Sequence, residues 1–332
     1  MENNIHQKLF LIAKGFFRLE PWQFLGNDDI FGLFLKDKDE LYFVSVMGDG
    51  GEEYGALFMK GWIGYQTISD GLNDTVDGET MINSCNLLSV SLCSKEGLAP
   101  DLLRYHKRYN LDLNFLPQFP AFMVKKPQEI FKPPKDREAE SLCLCIQAII
   151  ELFQKNLIQP ETFLQDDQIK IFEISSQNGD LQIISKYEKI LRPETVSESQ
   201  KTDEETLNQL KKLRRLPTVY NISAPAGLFV VKDKVTRTFL VHEDKQDFIL
   251  AGNALYEEEL KEEALNILIK IFLGKNSIQQ KGLPEEIRTD SKLLFDLLNQ
   301  TLTALNVKMT YLEHLPKIKA IIKEMQELGS KI

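Results

Sequence analysis

The stretch LPEEIRTDSKLLFDLLNQTLTALNVKMTYL, Leu283–Leu312, decides the fold of the C-terminal third. A short strand ends in Thr289-Asp290-Ser291, an amphipathic helix follows over Ser291–Leu305, and a second strand returns over Val307–Leu312. Two strands joined through a helix run parallel, and the crossover is right-handed. An acid at a strand's C-terminal tip, beside a helix start, stands where open α/β sheets bind ligands or metals. The same letters also supply an ordinary helix cap through Ser291 or Asp290.

Working outward, Glu257–Phe272 has the apolar spacing of a long amphipathic helix, and Leu315–Leu328 that of a last one. Upstream, the sequence predicts a short basic helix over Leu207–Arg215 and a strand at Thr218–Ser223. A hairpin of Leu228–Lys232 and Thr238–His242 turns through Asp233–Arg237, and Asp247–Ala251 adds a third strand. The resulting C-terminal order is β-β-β-α-β-α-β-α, with the last two strands parallel beside the first hairpin.

The N-terminal half reads as α+β. Helical spacing over Asn3–Phe17 leads into runs Phe31–Leu35, Leu41–Met47 and Gly55–Lys60, separated by short turns rich in Asp and Gly. Such turns predict an antiparallel meander. Trp62–Ile68 turns helical, Asn86–Cys93 is a further apolar run, and Ala99–Arg108 is a helix with Pro100 at its first position. Five prolines within Phe115–Pro134 forbid a helix and predict an extended strap, with an edge strand at Ala121–Val124. Arg137–Lys155 restores a helix, and Gln177-Asn178-Gly179 links two alternating runs as a hairpin. The charged interval Arg192–Glu205 has no apolar period. We therefore expect an N-terminal α+β domain over 1–191, a linker over 192–206 and a C-terminal α/β domain over 207–332.

The 332 residues carry a net charge of −9, which argues against a protein that coats nucleic acid. Nucleic acid is expected only through the C-terminal domain, which is nearer to charge balance. No stretch approaches the roughly 18 apolar residues of a membrane span. Met1–Leu25, broken by Lys8, Lys14, Arg18 and Glu20, reads as a helix entry rather than a signal peptide. Cys85, Cys93, Cys143 and Cys145 lack zinc or redox spacing and read as small apolar residues of a reducing compartment, so the expected address is cytoplasmic. His6, His106, His242 and His314 show no ligand pairing and read as surface or partly buried residues.

The glycine-rich Gly48–Gly55 joins two strands and carries Asp49, Glu52 and Glu53, so it reads as a tight hairpin rather than a phosphate cradle. The alternative there is a peptide or cation site using Glu52, Glu53 and Tyr54, with Trp22 as its apolar wall. The basic cluster Lys211-Lys212-Leu213-Arg214-Arg215 reads as a solvated helix face, with a phosphate-contacting patch as the alternative.

The strings from Trp22 to Gly32 and from Val46 to Gly55 resemble an uncharacterised bacterial family in which such a module precedes a C-terminal domain, also of unknown function. The Leu116-Pro117 strap, the Glu138–Leu152 helix, the Leu228–His242 hairpin and the Pro284–Leu315 pattern fit it as well. The C-terminal third also resembles the ribonuclease H-like fold, in which acids from separate elements hold two metal ions. That resemblance implies roles as metal ligands and catalytic groups for Asp290 after the fourth strand, Glu263 on the first long helix and Asp233 at a strand end. The sequence departs from the pattern in having no acid within Gly227–Val231. Two-metal hydrolysis needs several convergent carboxylates, so the leading expectation is a non-catalytic binding or adaptor protein with a protein or peptide partner and no cofactor. The alternative is a nuclease dependent on Mg²⁺ or Mn²⁺.

Overall fold

The computed structural model describes residues 4–48, 50–51, 53–73, 83–94, 98–111, 118–177, 180–191, 202–275 and 281–329. The chain divides into two compact units, Met1–Glu194 and Thr195–Ile332. The expected linker lies mostly outside the described residues, as does the Asn178-Gly179 turn.

The N-terminal unit is a sheet of eight strands with helices on both faces. Helix α1 (Ile5–Leu19) starts where the Asn4 side chain accepts from the His6 amide. Strands β1 (Phe31–Leu35), β2 (Glu40–Met47) and β3 (Gly55–Lys60) form the expected meander. Helix α2 (Gly61–Leu72), β4 (Leu87–Ser94), α3 (Pro100–Arg108) and the edge strand β5 (Gln118–Lys125) follow. Helix α4 (Asp136–Gln154) then carries the chain to the short β6 (Leu164–Gln165) and the hairpin of β7 (Gln168–Gln177) with β8 (Asp180–Lys189). The sheet order is β5-β4-β3-β2-β1-β7-β6, with β8 on β7.

The sheet is antiparallel except that β7 joins β1 in parallel. Helices α2, α3 and α4 and the strands β4, β5 and β6 separate β7 from the meander, and this long connection brings the chain back in the same sense, which a tight hairpin cannot do. Alternation along the strands splits the core. Phe31, Leu33, Val44 and Val46 pack with α1 and α4, whereas Phe43, Met59 and Leu87 pack with α2.

In the C-terminal unit, α5 (Glu204–Lys211) begins and ends earlier than the predicted basic helix over Leu207–Arg215. Leu213 packs toward the core and Arg215 already opens β9 (Arg215–Ser223), because the Arg214 carbonyl accepts from the Leu283 amide. Strands β10 (Ala226–Val231) and β11 (Lys234–Glu243) meet through two residues, Lys232 and Asp233, at φ 51° and 64°. The predicted five-residue turn is thus a two-residue one, with both residues in the left-handed region that matches strand twist. Strand β12 (Phe248–Leu255), α6 (Glu257–Phe272), β13 (Leu283–Thr289), α7 (Lys292–Ala304), β14 (Lys308–Tyr311) and α8 (Pro316–Gly329) complete the unit.

Strands β9 and β10 follow one another along one edge of β11, and β12 takes the other edge. Strand β13 runs parallel to β9, and β14 parallel to β13. Tyr220, Ile222, Phe239, Val241 and Ile287 bury one face under α6 and α7. On the other face Leu240 packs with Leu315 and Ile318 of the last helical segment. Among the described residues, no helix is long and apolar enough to cross a membrane.

Candidate functional site

Asp290 follows the last residue of β13. Ser291, not Asp290, caps α7: its Oγ accepts from the Leu294 amide at 3.3 Å. The Asp290 carboxyl is left to Ser223, with His314 and Lys319 nearby. Burial pushes this carboxyl above the usual range, although Ser223, His314 and Lys319 pull the other way. Asp290 therefore costs stability once it ionises, and that cost is absent below its unfolded value of 3.8. Asp290→Asn is expected to raise the melting temperature at pH 7 and to lose that gain toward pH 3. An unchanged or lower melting temperature at pH 7 would count against the buried charge.

The structure does not gather the three acids named by the ribonuclease H-like resemblance. Ser223, which bonds Asp290, lies one residue past the core-facing Ile222 and therefore points to the α8 face. Glu263 rides on α6, on the opposite face, where Leu260, Ala264 and Leu268 enter the core. Asp233 occupies the hairpin tip. Leu240 of β11 pairs with Ser223, at the level of Asp290. Asp233 lies seven residues farther along that strand, roughly 20 Å away at the usual strand rise. Among the described residues, no group of three His, Cys, Asp or Glu side chains could hold a metal ion.

The α8 face instead carries a row of polar residues in register across four strands: His242, Asn221, Arg288 and Thr310. His242 is buried, and Asp247 accepts from its Nε2 at 3.0 Å. Its Nδ1 lies 3.5 Å from Asn221 Nδ2, which donates to Asp244 at 3.1 Å. Lys317 of α8 ties Asp244 (3.2 Å) to Asp247 (3.4 Å). The His242 bond and Lys317 hold the Asp247 carboxyl below its ordinary value. This network fastens α8 to the sheet.

His242 is one of three histidines whose expected exposure is wrong. His6 and His106 are also buried. His6 donates through Nε2 to Asp136 at 2.9 Å, accepts from the Tyr105 hydroxyl at 2.7 Å, and stacks on Tyr109. His106 lies between the carbonyls of Leu102 and Pro120. Leu102 and Asp247 lie within five residues of their histidines, but Tyr105 and Asp136 reach His6 only through the tertiary packing, 99 and 130 residues away.

At the sheet end away from Asp290, cations collect. The segments Thr206–Val219 and Ala264–Lys281 carry Lys211, Lys212, Arg214, Arg215, Lys270, Lys275 and Lys281 and no Asp or Glu. Hydrogen bonds from Leu283 to Arg214 and from Gly282 to Phe272 draw the two segments to one end of the sheet. A groove of about 790 Å³ lies there, lined by Gln209, Lys212, Leu213, Arg214, Leu273 and Lys281. Arg214 Nε donates across it to the Lys281 carbonyl at 3.3 Å. Arg215 is committed to the Leu305 carbonyl. Strand β9 runs from Arg215, at the groove, to Ile222, beside Thr289, which puts the groove roughly 20 Å from Asp290.

In the N-terminal unit, Gly48–Gly55 is a hairpin connection that closes with Met47 opposite Gly55. The structure brings Trp22 and Tyr54 together with ring centroids 4.9 Å apart. A Cβ on Gly48, at φ 139°, would meet Trp22 at 2.7 Å and Tyr54 at 2.8 Å, so only glycine lets both rings close on the loop. Trp22 leans on Phe16 and Phe17, so it belongs to the packing of α1 as much as to the rim. Glu53 is exposed, and Glu52 lies outside the described residues.

Neither a curated protein nor a solved structure matches this chain. Two family descriptions do. Residues 206–326 match a domain of unknown function (DUF6930), and residues 6–173, just over half of the chain, match another (DUF7309). The polar rows and basic groove of the C-terminal unit lie in the first of these stretches, and the Trp22–Tyr54 hairpin in the second. The chain thus belongs to the family of the N-terminal domain of unknown function, DUF7309, here followed by a second uncharacterised domain.

Proposed function

We propose that this protein is a non-catalytic binding or adaptor protein of the cytoplasm whose C-terminal unit grips a polyanionic partner. The observation that carries the reading is the separation of charges. Lys212, Arg214 and Lys281 line one groove with no acid among its lining residues, and among the described residues no group of three acids, histidines or cysteines could hold a metal ion for a nuclease. A phosphate backbone or a run of acidic side chains fits such a surface through charge alone. The groove lining has no aromatic ring on which bases could stack, so recognition of nucleic acid would be of the backbone and independent of sequence. The strand order β12-β11-β9-β13-β14, antiparallel and then parallel, supports a ribonuclease H-like scaffold. Asp290 then survives from the metal-binding pattern without Glu263 or Asp233 beside it. That Cys85, Cys93, Cys143 and Cys145 form no disulfide among the described residues supports the cytoplasmic address.

Fluorescence anisotropy with labelled single- and double-stranded oligonucleotides, in EDTA, tests the reading. Binding should weaken with salt, with a log–log slope of about −3 on duplex DNA if the three groove cations each meet a phosphate. Lys212→Glu with Lys281→Glu should abolish it without changing the melting temperature. A poly-glutamate peptide that binds more tightly than either oligonucleotide would assign the surface to an acidic protein partner. Binding to no polyanion at low salt, or Mn²⁺-dependent cleavage lost in Asp290→Asn, would overturn the proposal.

A further inference from the structure

A cavity of about 280 Å³ lies in the N-terminal unit, where β2 and β4 begin, β3 and β5 end, and the first turn of α4 closes over the sheet. Its lining includes four cations, Lys60, Lys125, Lys126 and Arg137, against two acids, Glu40 and Glu138. On a chain of net charge −9, that excess is local and specific.

Both acids are already engaged by the protein. The Glu138 carboxylate accepts from the Lys135 amide at 2.9 Å as part of the helix cap. Glu40 is buried, and burial alone would push its carboxyl up. Donors from Lys60 (2.9 Å), Ser141 (2.8 Å) and Tyr42 (2.9 Å) outweigh burial and hold the carboxyl below its ordinary value. It is therefore an ionised anchor that orients Lys60 and, at 3.5 Å, Arg137. Lys125 is also committed: its ammonium donates to Asn83 at 2.7 Å.

The uncommitted charge is different in kind. The Arg137 side chain is 79% exposed and reaches Glu40 through one long contact. Lys126 is exposed and makes no ion pair among the described residues. The cavity has room for about nine waters at roughly 30 Å³ each, enough for a phosphate or a small polycarboxylate.

We propose that this cavity binds a compact multivalent oxyanion, a phosphate or a small polycarboxylate, gripped by Arg137 and Lys126 with Lys60 behind them. The site stands on the N-terminal unit alone and does not depend on the function proposed for the C-terminal unit. Its buried carboxylate gives the test a sign. Glu40 competes with an incoming anion for Lys60 and Arg137, so Glu40→Gln should tighten binding several-fold, while Arg137→Gln should weaken it at least ten-fold. A structural carboxylate beside an empty cavity would give no such opposed pair.

Calorimetric titration of the full chain with inorganic phosphate and, separately, citrate, at ionic strength matched with chloride, reads both effects. Saturable binding of either anion with the two variants moving oppositely supports the site, and the preferred anion names the ligand chemistry. Should Glu40→Gln fail to fold, Lys126→Gln replaces it and must weaken binding. Wild-type protein that binds neither anion, or binding untouched by Arg137→Gln and Lys126→Gln, would overturn the proposal.

Discussion

Gly55→Ala is expected to be the most damaging single methyl group in this chain, destabilising the N-terminal unit by about 3 kcal/mol or more. Gly55 opens β3 and faces Ser91 across the β3–β4 pair. A Cβ there would fall on the carbonyl oxygen of Val90 and 2.9 Å from the Cα of Ser91. Those are backbone atoms of a central strand pair, so no rotamer change relieves the clash. The pair must separate, and β4 must also keep its register with β5. Denaturant unfolding should show a lower midpoint, and hydrogen exchange should quicken over β3 and β4. A midpoint within experimental error of wild type would count against a close β3–β4 approach at Gly55.

Glu286→Gln is expected to destabilise the C-terminal unit by up to about 3 kcal/mol at neutral pH, with an effect that depends on pH. Burial raises the Glu286 carboxyl, but Thr310 (2.7 Å), Lys308 (2.9 Å) and Arg288 (3.0 Å) more than offset it and hold the carboxyl at about 2. Because the folded value lies below the ordinary 4.5, the contribution is fully present above pH 4.5 and is lost as pH falls toward 2. Wild type and variant should therefore differ at pH 7 and converge in acid. Glu286 joins β13 to β14 through these bonds, so the loss should appear first as fraying of β14. Curves that stay parallel at every pH would assign the effect to packing rather than to charge.

These two residues mark the limit of what local pattern can reveal. Gly55 lies in a strand visible from its neighbours, yet its necessity comes from the approach of Val90, 35 positions away. Glu286 belongs to a strand recognised from the sequence, but its charge matters because β14 places Lys308 opposite it and Thr310 within hydrogen-bond reach. The same logic explains the parallel β1–β7 pair and the three buried histidines. Tyr105 and Asp136, which hold His6, are 99 and 130 residues distant. It also explains the candidate sites. The acids of the C-terminal unit have residue types suited to metal, and only the faces and levels of the sheet separate them. The basic groove and the Glu40 cavity are each assembled from segments far apart in the chain.

What the amino-acid sequence determined by itself was the set of elements and their periods. Helix α6 spans Glu257–Phe272 as its apolar spacing and acidic first turn require, and the meander β1–β3 follows from short Asp- and Gly-rich turns. These depend on hydrogen bonds and side-chain spacing within a few residues, which any stretch carries with it. The tertiary structure alone decided which edges pair, which face each acid occupies and which cations share a wall. Those outcomes depend on burying apolar faces that belong to distant segments, and the positions of the charges follow from how that burial is satisfied.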